Sequence, residues 1–224
     1  MMKKYIFGTA AAALLVAGPA NAGFIMGLDV AGEDALMIGD NEVGLDLDSR
    51  DGYISYSGTY GGFTVNMTTG ISKPVLSMPG TIFDLNEINV SGGNGSLAIA
   101  ITDTDFIPTG SDGKFTFSVA GDSTGSVQNR AYLDANNNEF GLNTKFGDTG
   151  MVWQPTNYTY ASTGNYIGGS NPYSLTILAT IEHDGSNDDT NFNAEIHAVP
   201  EPATLSLLAL GLIGVGAASR RRQV

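Results

Sequence analysis

The chain has no cysteine. That excludes disulfides, a thiol nucleophile, Cys-ligated zinc or iron–sulfur clusters, and a lipid-modified N-terminal cysteine. It is also poor in positive charge, with 10 Lys and Arg against 23 Asp and Glu in 224 residues. Five of the ten lie at the extremes: Lys3, Lys4, Arg220, Arg221 and Arg222. Residues 23–199 keep only five basic residues against 22 acidic ones, a net charge of −17. Such a body does not bind nucleic acid, which needs clustered Lys and Arg. Nor does it dock electrostatically on an anionic membrane. There is one tryptophan and there are two histidines, His183 and His197. No G-x-S-x-G, H-E-x-x-H or P-loop pattern occurs.

What is present is most specific at the two ends. Lys3 and Lys4 precede the apolar run Ile6 to Val16. Gly18 and Pro19 break that run, and Ala20-Asn21-Ala22 supplies small residues at both positions of an A-x-A site. This order predicts a secretory signal peptide over 1–22, cleaved before Gly23. Without a twin-Arg pair, the expected partners are the Sec translocon and signal peptidase. At the other end, Val199-Pro200-Glu201-Pro202 is followed by an apolar, Leu-, Gly- and Ala-rich run from Ala203 to Ala218 and then Arg220-Arg221-Arg222. The prolines stop a helix from entering from upstream. As a helix, the run would be about 24 Å long, a marginal span of a roughly 30 Å hydrocarbon core. The Arg cluster would hold its end in the cytoplasm as a stop-transfer signal.

This tail, 199–224, resembles the PEP-CTERM sorting signal of Gram-negative bacteria. The resemblance rests on Val199-Pro200-Glu201-Pro202, the apolar run and the terminal Arg cluster, in that order. It implies recognition by an exosortase, transient anchoring in the inner membrane, and then a place at the cell surface or outside it. It also implies association with exopolysaccharide, biofilm or other matrix proteins. Two body segments, Gly61–Gly70 and Asp84–Gly93, are similar to recurring pieces of PEP-CTERM passenger domains.

Between the ends, residues 23–198 predict one passenger domain. They hold 18 of the 20 aromatic residues, so this segment has the means to fold. The apolar period is two. Phe63, Val65 and Met67 alternate with Thr64, Asn66 and Thr68, and Leu97, Ile99 and Ile101 with Ala98, Ala100 and Thr102. Phe115–Val119, Tyr173–Ile181 and Phe192–Ala198 repeat the pattern. Such alternation puts one face in a core and the other in water. Gly61-Gly62, Gly92–Gly95 and Asp184–Asp189 punctuate these runs and predict hairpins. Between Leu85 and Ile88 the apolar phase slips, which predicts a β-bulge at Asn86-Glu87. The fold expected is all-β, an antiparallel sandwich of roughly eight to eleven strands, jelly-roll or Ig-like.

Chemistry in the body is sparse. Glu182 and His183 are strand neighbours pointing to opposite faces, so no catalytic pair is legible and no enzyme is expected. Asp134, Asn136 and Asn138 occupy positions 1, 3 and 5 of a calcium-type loop. Glu139 replaces the turn glycine, however, and Lys145 stands where a bidentate Glu belongs. This is a weak candidate calcium loop, or simply a turn made by Asp and Asn; no other cofactor is indicated. The segment Met151–Tyr173 carries Trp153, Tyr158, Tyr160, Tyr166 and Tyr173 among amides and hydroxyls. Two readings stand for it: rings stacked on sugars in a carbohydrate-binding module, or rings capping the core. The leading expectation is an exported, non-enzymatic surface or matrix protein. A carbohydrate-binding module is second and a secreted hydrolase third.

Overall fold

A computed structural model describes residues 23–76, 80–107, 113–166 and 171–199. The expected signal segment 1–22 and the residues after Val199, including Pro200, Glu201, Pro202 and Arg220–Arg222, lie outside the described residues. Thirteen strands occur among the described residues. They are β1 Ile25–Val30, β2 Leu36–Gly39, β3 Tyr53–Tyr60, β4 Phe63–Ile71, β5 Gly80–Gly92 and β6 Gly95–Phe106. There follow β7 Gly113–Ser123, β8 Ser126–Asp134, β9 Thr144–Asp148, β10 Val152–Trp153, β11 Tyr158–Tyr166, β12 Tyr173–His183 and β13 Asp189–Val199. The count exceeds the eight to eleven expected because β2, β9 and β10 are too short to leave a period in the sequence. No helix occurs among the described residues.

All strand pairings are antiparallel and they build two sheets, stacked as a β-sandwich. One sheet has the order β10-β8-β12-β6-β1-β2, with β9 also on β8. The other has the order β11-β7-β13-β5-β4-β3. Gly61-Gly62 makes the hairpin expected between β3 and β4. The other two expected hairpins do not form. β5 pairs with β4 and β13, whereas β6 pairs with β1 and β12. Gly92–Gly95 therefore carries the chain from one sheet to the other, and so do the residues between β12 and β13. A hairpin and a corner crossing the roughly 10 Å between sheets need the same flanking alternation and the same turn residues, so the sequence pattern serves both. Gly93 has φ +82°, and a Cβ there would lie 2.3 Å from the Phe63 ring.

The bulge occurs where the phase slips. Phe192 faces Ile88 while Ala194 faces Leu85, so β5 has one extra residue at Asn86-Glu87. Glu87 takes φ +49°, and its N–H donates to Asn193 Oδ1 at 2.6 Å. β4 follows β5 without a slip, and the compensating shift appears between β4 and β3, at Ile54/Tyr56. One extra residue in each of β5 and β4 thus keeps Leu85, Ile88, Met67 and Ile54 all in the core.

That core lies between the sheets. It contains Tyr173, Phe63, Phe83, Phe117, Met26, Leu28 and Ile177, each fully buried. A second, smaller apolar cluster sits on the outer face of the first sheet: Ile25, Ala98, Ala100, Tyr132, Phe140 and Leu178. The expectation that Ala98, Ala100 and Thr102 face water is therefore corrected. The loop after β8 folds back over them, and the Phe140 N–H donates to Thr102 Oγ1 at 3.0 Å. Both limits of the described body lie at one end of the sandwich. Gly23 O accepts the Thr104 N–H, Phe24 packs edge-on against Phe83 at 5.9 Å, and Phe83 pairs with Ile196, three residues before Val199.

Candidate functional site

The outer face of the second sheet carries a groove of about 580 Å³. It runs across β5, β13, β7 and β11, and the outward-facing halves of their alternations line it: Asp84 and Asn86, Asn193 and Glu195, Ser118 and Ala120, Thr159 and Ala161. In register, Asp84 faces Glu195, Glu195 faces Ser118, and Ser118 faces Ala161. Small residues on β7 and β11 leave room above the sheet, while carboxylates and amides stand on β5 and β13. Four strands roughly 4.8 Å apart make this surface about 14 Å wide.

Its electrostatics are set by two acids held together by the sheet. Burial, followed by the neighbouring Glu195 charge, pushes the Asp84 carboxyl up to about 6, against smaller lowering effects of the Leu85 backbone and His197. Asn86 Nδ2 donates to Asp84 Oδ2 at 2.9 Å. Glu195 Oε1 accepts from the Ser118 hydroxyl at 3.1 Å and lies 2.9 Å from His197 Nε2. No Lys or Arg lines the groove. It is a hydrogen-bonding surface in which one carboxyl keeps its proton into mildly acidic conditions.

The aromatic segment does not converge. Trp153 is 72% exposed at the edge of the first sheet, opposite Ser126, at the end of the sandwich away from Val199. Tyr158 and Tyr160 sit on the second sheet and turn inward, packed against the core. Asn129 Nδ2 donates to the Tyr158 hydroxyl at 2.8 Å, and burial pushes that phenol up. The Tyr160 ring lies 6.2 Å from Phe117, and its hydroxyl accepts the Asp148 N–H. Tyr166 ends β11 opposite Gly113, and its side chain lies outside the described residues. Tyr173 is fully buried. Among the described side chains of this segment Trp153 is the one exposed ring, and the segment changes sheets between β10 and β11, so Trp153 lies apart from Tyr158 and Tyr160.

The weak calcium loop closes on itself. Asp134 is 1% exposed. Its Oδ1 accepts the Asn136 N–H at 2.8 Å and Asn143 Nδ2 at 2.6 Å, and its Oδ2 accepts Asn138 Nδ2 at 2.8 Å. Asn138 is turned as a donor and both Asp134 oxygens accept hydrogen bonds, so Asp134 holds the loop that lays Phe140 on the sheet. Among the described residues no group of three His, Asp or Glu is placed to hold a metal.

His183 is a structural residue of the crossover end. It is 4% exposed, with Nδ1 at 2.5 Å from Gly92 O and Nε2 at 2.8 Å from Thr190 Oγ1. A carbonyl only accepts, so Nδ1 donates to Gly92 O, and Nε2 shares a hydrogen bond with the Thr190 hydroxyl. Thr190 in turn lies 2.6 Å from Ser123 Oγ. This chain of hydrogen bonds ties β12 to β5, β13 and β7.

Of the sorting residues, Val199 closes β13 opposite Lys114 and is 41% exposed. Gly23 is packed against Asp103 and Thr104. The groove itself was missed in the sequence. Its signal is the polar half of β13, Asp189, Asn191, Asn193, Glu195 and His197, in which every alternate residue is charged, an amide or a histidine.

No curated protein matches the chain. Among solved structures, the adhesin domain of Epf from Streptococcus pyogenes is similar at 11% identity with a TM-score of 0.43, covering 80% of this chain and 60% of that one. A family 29 carbohydrate-binding module is similar at 14% identity with a TM-score of 0.32, covering 66% and 79%. The CBM36-1 domain of a multidomain xylanase from the hindgut metagenome of Trinervitermes trinervoides is similar at 14% identity and 0.32, covering 65% and 89%. At these scores the likenesses carry no argument about function. Residues 198–222 match the PEP-CTERM protein-sorting motif, which marks the chain as an exosortase substrate and an exported, cell-surface protein.

Proposed function

We propose that the body is a non-enzymatic surface or matrix protein that holds a neutral, hydroxyl-rich polysaccharide in the groove on its second sheet. One observation carries this reading. Asp84, Asn86, Ser118, Thr159, Asn193 and Glu195 converge on one open groove with no cation among them. Acids, amides and hydroxyls of this kind exchange hydrogen bonds with sugar hydroxyls. A body of net charge −17 repels an anionic polymer, which favours a neutral one. The absence of an aromatic platform in the groove favours modest affinity multiplied along a repeating polymer. His183 supports the non-catalytic part, since both its ring nitrogens are engaged in the fold.

A second reading draws on one specific pair. A pair of carboxyls is also the equipment of glycoside hydrolysis, and Asp84 and Glu195 face each other across adjacent strands. One experiment separates the readings. The secreted protein is titrated with a panel of neutral polysaccharides, and free reducing ends are counted. Binding that weakens about tenfold in Glu195→Gln and Asn193→Ala, without reducing ends, is expected. Reducing ends that vanish in Asp84→Asn would establish the hydrolase. Binding lost only in Trp153→Ala would move the site to the far end of the sandwich.

A further inference from the structure

The sorting motif begins inside the fold. Its match starts at Ala198, and Ala198 is still a sheet residue, paired with Gly80 on β5 and Phe115 on β7 and only 7% exposed. Val199 pairs with Lys114. Pro200 follows at once, and the apolar run begins at Ala203. Only Pro200, Glu201 and Pro202 separate the last paired residue from that run. Fully extended, three residues reach about 10 Å. The sandwich end is broader than that, since its two sheets alone stand about 10 Å apart. An enzyme that approaches Pro200-Glu201-Pro202 meets the end of the sandwich on one side and the apolar run on the other.

We infer that the exosortase gains this motif through fraying of the last residues of β13. Access to a peptide segment follows the freedom of its backbone from hydrogen bonds and burial, not its position in the sequence. Strand ends open at the smallest free-energy cost in a fold. Here the fraying has a built-in stop. Ile196 is fully buried and faces Phe83 and Phe117, whereas His197 and Val199 are partly exposed or exposed. Release of His197, Ala198 and Val199 roughly doubles the free chain ahead of the apolar run, uncovers one small core side chain, Ala198, and leaves Ile196 and the large core residues packed. When opening and closing are fast, the rate of processing follows the open fraction. The sheet thus acts as a gate on sorting.

The test is a pulse-chase of the full-length chain in its native host, reading the loss of the tail by mass. Six Gly and Ser residues inserted between Val199 and Pro200 supply the free length without touching the fold, and processing becomes at least threefold faster. A lock made by His197→Cys with Thr116→Cys, two residues that face each other on β13 and β7, pins the strand end. The protein has no other cysteine, so the oxidised lock is unambiguous by mass. It slows processing at least threefold, and reduction restores the rate. A spacer variant processed at the wild-type rate or more slowly overturns the inference, as does an oxidised lock processed as fast as the reduced one.

Discussion

Asp84 on β5 lies directly opposite Glu195 on β13, on the solvent side of the sheet. Burial, with the neighbouring Glu195 charge second, raises the Asp84 carboxyl to about 6. An unfolded Asp loses its proton near 3.8. Between those values the folded state binds more protons than the unfolded one, so this group's contribution makes stability fall as pH rises from about 4 to 6. Asp84→Asn removes that loss. Melting temperatures at pH 4, 5, 6 and 7.5 should show the variant gaining on the wild type across this window. At pH 7.5 the gain is about 1–2 kcal/mol, held to that size by solvent screening in an open groove. A constant difference at all four values would mean that the pair does not titrate as described.

Trp153 and Tyr160 are seven residues apart and have opposite fates. Trp153→Ala should change stability by no more than about 0.5 kcal/mol, as for an exposed side chain. Tyr160→Ala removes a ring packed against Phe117 and should cost about 2–3 kcal/mol. Urea midpoints of the two variants measure the contrast.

Asp134 is expected to matter through its hydrogen bonds and not through an ion. Asp134→Ala leaves the Asn136 N–H and the Asn138 and Asn143 amides without their acceptor and frees the loop bearing Phe140, at about 2–3 kcal/mol. Millimolar calcium should leave the wild-type melting temperature where it is. An upward shift would reveal a bound ion, since any ligand held only by the folded state raises stability.

Ile177 is fully buried at the centre of β12. Ile177→Asp places a carboxyl in the core between Ile101 and Ala131 on the flanking strands, at a cost of several kcal/mol or a proton taken up to avoid it. Loss of the near-ultraviolet circular dichroism signal, or a fall in melting temperature of more than about 10 °C, is the expected result.

Mature protein collected from the surface of the host should begin at Gly23 and lack Arg220–Arg222. Intact mass decides both ends in one measurement, and a species retaining the Arg cluster outside the cell would contradict sorting through the tail.

The strands of the body were legible because their apolar residues repeat every second position, and burial of one face enforces that period. Phe63–Met67 and Phe192–Ala198 are such cases. The bulge at Asn86-Glu87 was legible for the same reason, since a change of parity has no other economical repair. Which strands pair was not legible. β5 and β6 are joined by two residues, Gly93 and Asn94, and lie in different sheets, and nothing in local pattern distinguishes a hairpin from a corner. The outer core on β6 was also hidden. Ala100 and Thr102 read as a weakly polar face, and only the loop carrying Phe140 buries them.

The sequence by itself determined the export route and the β character of the body. Both are local properties: a sorting motif is a short continuous string read by an enzyme, and strand period is a property of adjacent residues. The groove was decided only by tertiary structure. Asp84 and Glu195 are more than a hundred residues apart, and Ser118 and Ala161 belong to strands that neither adjoins in sequence. Sheet order brings them together, and sheet order is set by the burial of the opposite faces of the same strands, where Phe83, Phe117 and Ile196 pack against one another's neighbours. The tertiary structure also decided that Ala198 and Val199 belong to the sandwich as well as to the sorting tail, because β5 and β7 supply backbone partners on both sides of that strand almost to its last residue.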